Sequence, residues 1–283
     1  PVAADRTLVG PLGHPAPSRN DTHGYIAQWN IPEQLAAPAA SDPQSLSHCV
    51  TADTASWMVA NPHARVCSDW ARDRIELAQD GFAVKCGLEF DLFISPIGEP
   101  STYVPSLTRS KPLSTLSALN LTFTAQLTHS VVTTRCGKCG GSGHVDFGYS
   151  TAAVVFDNFV SDQTLFFQAI LHDSRRGHCG GDSDKCSPST NWFFGKNPYG
   201  IGVSIGSWQE PCLGALNGTE HAYDLPLLPF VVHALQGADS PPGIDTNLSN
   251  WQATGAYIGF GLQGSVTQTA VFGGVNLIEE VAA

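Results

Sequence analysis

Glu89 and Asp91 stand two residues apart in the stretch Lys85-Cys86-Gly87-Leu88-Glu89-Phe90-Asp91-Leu92-Phe93-Ile94-Ser95. The stretch alternates. Phe90, Leu92 and Ile94 fall on one side of a pleated strand, and Glu89, Asp91, Phe93 and Ser95 on the other. Two carboxylates therefore share a face, and like charges held a pleat apart repel and split their proton affinities. That is one way to build an acid/base pair or a cation site, and a solvated strand face is the plainer reading of the same residues. Further polar positions recur at the same period. Gln126 belongs to the polar side of Leu119–His129, where Leu119, Leu121, Phe123, Ala125 and Leu127 alternate with Asn120, Thr122, Thr124, Gln126 and Thr128. In Thr164–His172 the spacing puts Gln168 and His172 on one face with Phe166 and Ile170. Tyr257 and Trp192, with Trp208, Trp251 and Tyr103, offer π surfaces that match the apolar faces of sugar rings.

Other chemistries find less. No Gly-x-Ser-x-Gly elbow is present, and Gly137–Gly143 lacks the Lys-Ser/Thr ending of a phosphate loop. Cys136-x-x-Cys139 with Cys179 and Cys186 could hold zinc, helped by His144, His172 or His178, but the second pair is widely spaced and disulfides compete. No metal or cofactor is therefore expected, with a structural calcium at Asp182 and Asp184 as the alternative.

The elements that must position these residues are strands. Of 283 residues only 14% are charged, Gly (28) and Pro (19) are plentiful, and the apolar runs are rich in Val, Ile, Thr, Phe and Tyr. Residues 1–47 read as an extended Pro/Ala-rich arm with a short strand at Gly24–Trp29, and 48–283 as one domain. Val66 and Trp70, four apart, predict a short helix within 61–73. Arg74–Ala78, the turn Gln79-Asp80-Gly81 and Phe82–Ser95 predict a hairpin, since Asp-Gly supplies the positive φ of a tight turn. Further strands are expected at Val145–Phe156, Thr164–His172, Gly200–Ser207, Trp251–Leu262 and Thr267–Leu277. Ala222–Leu235 reads as strand, or Asp224–Val232 as a helix opening after its prolines, and 173–200 as a long loop.

The net charge of −11 disfavours nucleic acid, anionic glycans and acidic membrane surfaces, and no apolar run reaches the length of a membrane span. The chain starts at Pro1 and its one methionine is Met58, so a removed leader is expected. Eight cysteines predict disulfides in an oxidising compartment, with Cys49/Cys67 and Cys179/Cys186 as sequence-near pairs. Sequons at Asn20, Asn120, Asn217 and Asn247 are compatible with secretion.

Tyr257-Ile258-Gly259-Phe260-Gly261-Leu262, followed by Val271-Phe272-Gly273-Gly274-Val275, resembles the closing strands of the concanavalin A-like jelly roll of glucanases and lectins. Glu89-Phe90-Asp91-Leu92-Phe93 is similar to the Glu-x-Asp core of laminarinase-type retaining glycosidases. The resemblance implies Glu89 as nucleophile and Asp91 as the residue that tunes it. The family's second Glu has no counterpart here, where Phe93, Ile94 and Ser95 follow, so Asp146, Asp157 or Asp173 would have to supply the second carboxyl. Gln168, His172 and Tyr257 also resemble the sets of jelly-roll polysaccharide lyases. The expectation is thus a secreted, disulfide-bonded, all-β sandwich of the jelly-roll type. Its polar face would be built from Glu89, Asp91, Gln126, Gln168, His172 and Tyr257, with Trp192 as a stacking residue. Its partner would be a polysaccharide, hydrolysed if it is neutral; the alternatives are a non-catalytic carbohydrate-binding or adhesion protein and a lyase. Oligomeric state is not readable from this sequence.

Overall fold

The structure, a computed structural model, describes residues 25–29, 49, 57–69, 72–81, 89–97, 110–133, 146–174, 192–194, 198–208, 210–216, 218–238 and 240–282. In chain order the strands are β1 (Tyr25–Trp29), β2 (Trp57–Ala60), β3 (Ala64–Asp69), β4 (Arg74–Asp80), β5 (Glu89–Ile97), β6 (Leu116–Val132) and β7 (Phe147–Asn158). There follow β8 (Gln163–Asp173), β9 (Trp192–Phe194), β10 (Tyr199–Ser204), β11 (His221–Pro226), the helix α1 (Leu227–Gln236), β12 (Trp251–Gln263) and β13 (Val266–Val281). One sheet has seven strands in the order β1-β5-β12-β7-β8-β10-β9, the other six in the order β11-β6-β13-β4-β3-β2. Among the described strands only β8 and β10 pair in parallel.

The period of two dictates the sandwich. On β6, Leu119, Leu121, Phe123 and Ala125 are buried while Asn120, Thr122, Thr124 and Gln126 between them are half-buried. Facing strands contribute Leu92 and Ile94, Ala152, Val154 and Phe156, Leu165 and Phe167, and Ile258 and Phe260 to the same core. Each fully buried Leu, Ile or Phe is worth about 1.5–3 kcal/mol, so this shared layer dominates the stability. Both readings of 222–235 apply in turn, because β11 ends at Pro226 and α1 then packs Leu227, Val231, Ala234 and Leu235 onto the core.

Two expectations fail. The segment predicted as a helix is β3, entered through a turn in which Asn61 Oδ1 accepts from the His63 and Ala64 amides at 2.8 and 2.6 Å. With Val66 and Cys67 both buried, its two faces are both covered, so the four-residue spacing carries no helical meaning. Nor do β4 and β5 form a hairpin. β4 is flanked on its two edges by β3 and β13, while β5 lies in the opposite sheet between β1 and β12. Gly81 does not turn the chain back on itself but donates its amide to the Val266 carbonyl at 2.8 Å. The Cys49–Cys67 disulfide forms as expected, and Cys212 is also disulfide-bonded. Cys179, Cys186, Cys136, Cys139, Asp182, Asp184 and the rest of the predicted arm outside β1 lie beyond the described residues.

Candidate functional site

Along β5, Asp91 and Phe93 point away from the core, and the register of the sheet sets their neighbours. Asp91 stands opposite Gly261 of β12, which stands opposite Tyr149 of β7, which stands opposite Asp173 of β8. These four positions form one row across the outer face. Tyr149 donates its hydroxyl to Asp91 Oδ1 at 3.0 Å, reaching across β12. Gly261 makes this reach possible. A Cβ there would stand 2.3 Å from Asp91 Oδ1 and 2.5 Å from Tyr149 Cε1, so any side chain would occupy the space of the contact. Phe147 stacks beside Tyr149, with ring centroids 6.2 Å apart.

Further along the strands, Phe93 lies over Gly259 and meets Tyr257 edge-on at 5.1 Å. Gln168 Nε2 donates to the Tyr257 hydroxyl at 3.0 Å, passing over Ala153, which is small enough to leave the line clear. Burial pushes the Tyr257 hydroxyl well above the usual tyrosine range. The nearby Asp91 charge acts in the same direction and the Gln168 hydrogen bond against it. Tyr257 therefore stays a neutral phenol on this face. Phe166 approaches its ring at 6.3 Å.

The residues singled out from sequence divide. Asp91, Gln168 and Tyr257 come together on the outer face of the seven-stranded sheet. Glu89 is the first residue of β5, opposite Gln263, one row beyond Asp91. Trp192 of β9 stands opposite Gly202, which pairs with Gln168, so it extends the Tyr257–Gln168 row by register.

Gln126 and His172 do not join them. Gln126 is on β6, in the other sheet, and donates its amide to the Gly218 carbonyl. His172 is turned inward by a β-bulge. Opposite β7 the pairing jumps from Ser150–His172 to Thr151–Ile170, leaving Leu171 as the extra residue. The alternation that put His172 with Gln168 is thereby broken, as a bulge does, and His172 is 3% exposed with Nε2 3.4 Å from Ser130 Oγ of the other sheet. The same bulge sends Asp173 outward. The Gln168, His172, Tyr257 set is therefore not assembled on one face.

Of the three candidates for a second carboxyl, Asp146 accepts from the Ser265 amide at 2.6 Å and Asp157 from the Thr164 and Thr254 hydroxyls at 2.6 and 2.7 Å. Asp146 is thus tied to the turn before β13, and Asp157 to its neighbours on β8 and β12. Asp173, 5% exposed, is the one that stands in the Asp91 row. Among the described residues, no group of three or more His, Cys, Asp or Glu side chains could hold a metal ion.

No family model and no curated protein matches the chain. Solved structures are. The native family 12 xyloglucanase from Bacillus licheniformis superposes over 96% of this chain and 98% of its own, with a TM-score of 0.50 and 9% identity. A metagenome-derived glycoside hydrolase family 12 endoglucanase covers 80% of this chain and 90% of its own, with a TM-score of 0.46 and 11% identity.

The fold is a concanavalin A-like jelly roll.

In this jelly roll the sequence reading missed Tyr149, Gly259 and Gly261. Their signal was present only as the alternation of β7 and β12, and it becomes chemical once the register aligns Gly261 between Asp91 and Tyr149.

Proposed function

We propose that this chain is a carbohydrate-active protein that hydrolyses a neutral polysaccharide across the outer face of its seven-stranded sheet. Asp91 and Asp173 would be the flanking carboxyls, with Glu89 beside them. The observation that carries this reading is the row Asp91, Gly261, Tyr149, Asp173, in which an oriented carboxylate and a second acid lie on one face with two strands between them. At about 4.8 Å per strand the backbones of β5 and β8 are roughly 14 Å apart. Were both short side chains to lean inward, the carboxyls would stand toward the wide end of the roughly 6.5–9.5 Å that inverting hydrolysis uses to admit a water. A Glu89 nucleophile, as in laminarinase-type enzymes, would instead retain configuration.

The acidic net charge of −11 fits an uncharged substrate better than a polyuronate. The Bacillus licheniformis protein of the same fold is named a xyloglucanase, which puts neutral glucans first in any panel. The disulfides at Cys67 and Cys212 suit an oxidising, extracytoplasmic compartment, so we read the protein as secreted.

The test is incubation with neutral and acidic polysaccharides, mass spectrometry of soluble products and NMR of the first anomer released. Hydrated oligosaccharides of inverted configuration are expected. Asp91→Asn and Asp173→Asn should each cost at least about a hundredfold in rate, the usual contribution of an acid or base. Retained configuration with Glu89→Gln inactive moves the chemistry to Glu89. Products with a 4,5-double bond would make the protein a lyase. A second reading, binding without hydrolysis, is favoured by the engagement of Asp91 with Tyr149 and by Phe93 and Ser95 standing where a second Glu would follow on β5. Retention on one polymer with no product from any would establish it.

A further inference from the structure

One layer of the sandwich interior is polar. Gln79 of β4, Gln268 of β13 and Ser130 of β6 stand in register on the face that next carries Leu77, Ala270 and Leu127. From the opposite sheet the β8 bulge turns His172 toward Ser130. β7 presents Gly148, where a Cβ would lie 2.6 Å from Gln268 Oε1, so the missing side chain leaves room beside that carboxamide. Gln79 is 5% exposed and Gln268 0%. Oε1 and Nε2 of both residues have no hydrogen-bond partner among the described residues.

Four unpaired polar atoms, the oxygen and nitrogen of two carboxamides, in one buried layer would offset much of the net stability of a domain, because each retains the cost of leaving water. Something must hydrogen-bond them. The lining supplies two carboxamides, a hydroxyl and an imidazole, groups that together donate and accept in near balance and bring no carboxylate. Such a set suits small neutral hydrogen-bonding ligands and not a metal cation. Among the described residues the layer lies inward of Val132 and Val266, which pack against the apolar core.

We propose that Gln79, Gln268, Ser130 and His172 enclose an internal hydration site whose ordered waters bridge the two sheets. It lies directly behind the outer row, since Ser150 and His172 are the chain neighbours of Tyr149 and Asp173. The inference does not depend on the proposed activity.

The wild-type protein supplies the test. In solution, the side-chain amide protons of Gln79 and Gln268, assigned from their disappearance in Gln79→Leu and Gln268→Leu, should show cross-relaxation with water of the sign that marks long-lived bound molecules. If neither Leu variant folds, a crystal structure of the wild type at a resolution that orders solvent gives the same decision: water within hydrogen-bond distance of both carboxamides is expected. Carboxamides bonded only to each other or to protein groups, with no long-lived water signal, would overturn the proposal.

Discussion

Gly259 and Gly261 face the same way on β12, yet a methyl group added at each would meet different atoms. At Gly261 it meets the Asp91 carboxylate and the Tyr149 ring, both ends of side chains that can swing away. At Gly259 it stands 2.2 Å from the Leu92 carbonyl and 2.8 Å from Phe93 Cα, which are backbone and cannot yield without moving β5. Gly259→Ala should therefore cost stability, about 1–3 kcal/mol as overpacking does, with a lowered urea midpoint. Gly261→Ala should cost only about the 1.5 kcal/mol of the Tyr149–Asp91 bond it opens, as side-chain ends adjust, and lose polysaccharide hydrolysis with that bond. Tyr149→Phe should reproduce that activity loss without adding bulk, removing a hydrogen bond to a charged group worth about 1.5 kcal/mol. Full activity in both variants would detach Tyr149 from the site.

At the scale of elements, Cys49–Cys67 ties residue 49 to β3, an internal strand of the six-stranded sheet one place from its edge, where Cys67 is fully buried with Met58 in a small satellite core. The sequence separation of 18 gives a loop whose closure should stabilise the fold by about 3 kcal/mol. Cys49→Ser with Cys67→Ser should lose that amount in urea unfolding, and a loss below about 1 kcal/mol would mean that the loop is equally ordered without its bond. The strands themselves were legible wherever one face is buried and the other is not. β6, β7, β8, β12 and β13 each write a long period of two, and their ends shift by only a few residues from expectation. Partners are another matter. Nothing local tells β4 to pair with β3 and β13 rather than with β5, because both edges of a central strand look alike in sequence. The outer site suffered from the same blindness. Asp91, Gln168 and Tyr257 followed from alternation, but one inserted residue, Leu171, reversed the facing of His172 and Asp173 together. Gln126 has the right period in the wrong sheet.

For the whole molecule, two described tyrosine hydroxyls with raised proton affinity, Tyr257 and Tyr223, sit on opposite sheets and report on both at once. Tyr257 is held neutral mainly by burial on the seven-stranded sheet. Tyr223 of β11 is raised chiefly by burial too, helped by the Glu210 charge, and donates to the Pro211 carbonyl at 3.0 Å. In the unfolded chain each would release its proton near pH 10. Above that pH the unfolded state binds fewer protons than the native state, so the stability these groups contribute, complete below pH 10, is lost as pH climbs toward their folded values. The slope should be at most about 1.4 kcal/mol per pH unit for each tyrosine. Alkaline titration followed by tyrosinate absorbance and by far-ultraviolet circular dichroism tests this on the intact protein. Of the six tyrosines, at least these two should ionise only together with loss of the sheet signal. Full tyrosinate absorbance over an unchanged dichroism spectrum would mean that both hydroxyls reach solvent in the native state. The outer face around Tyr257 would then be an open surface and not the half-buried floor on which the Asp91 row depends.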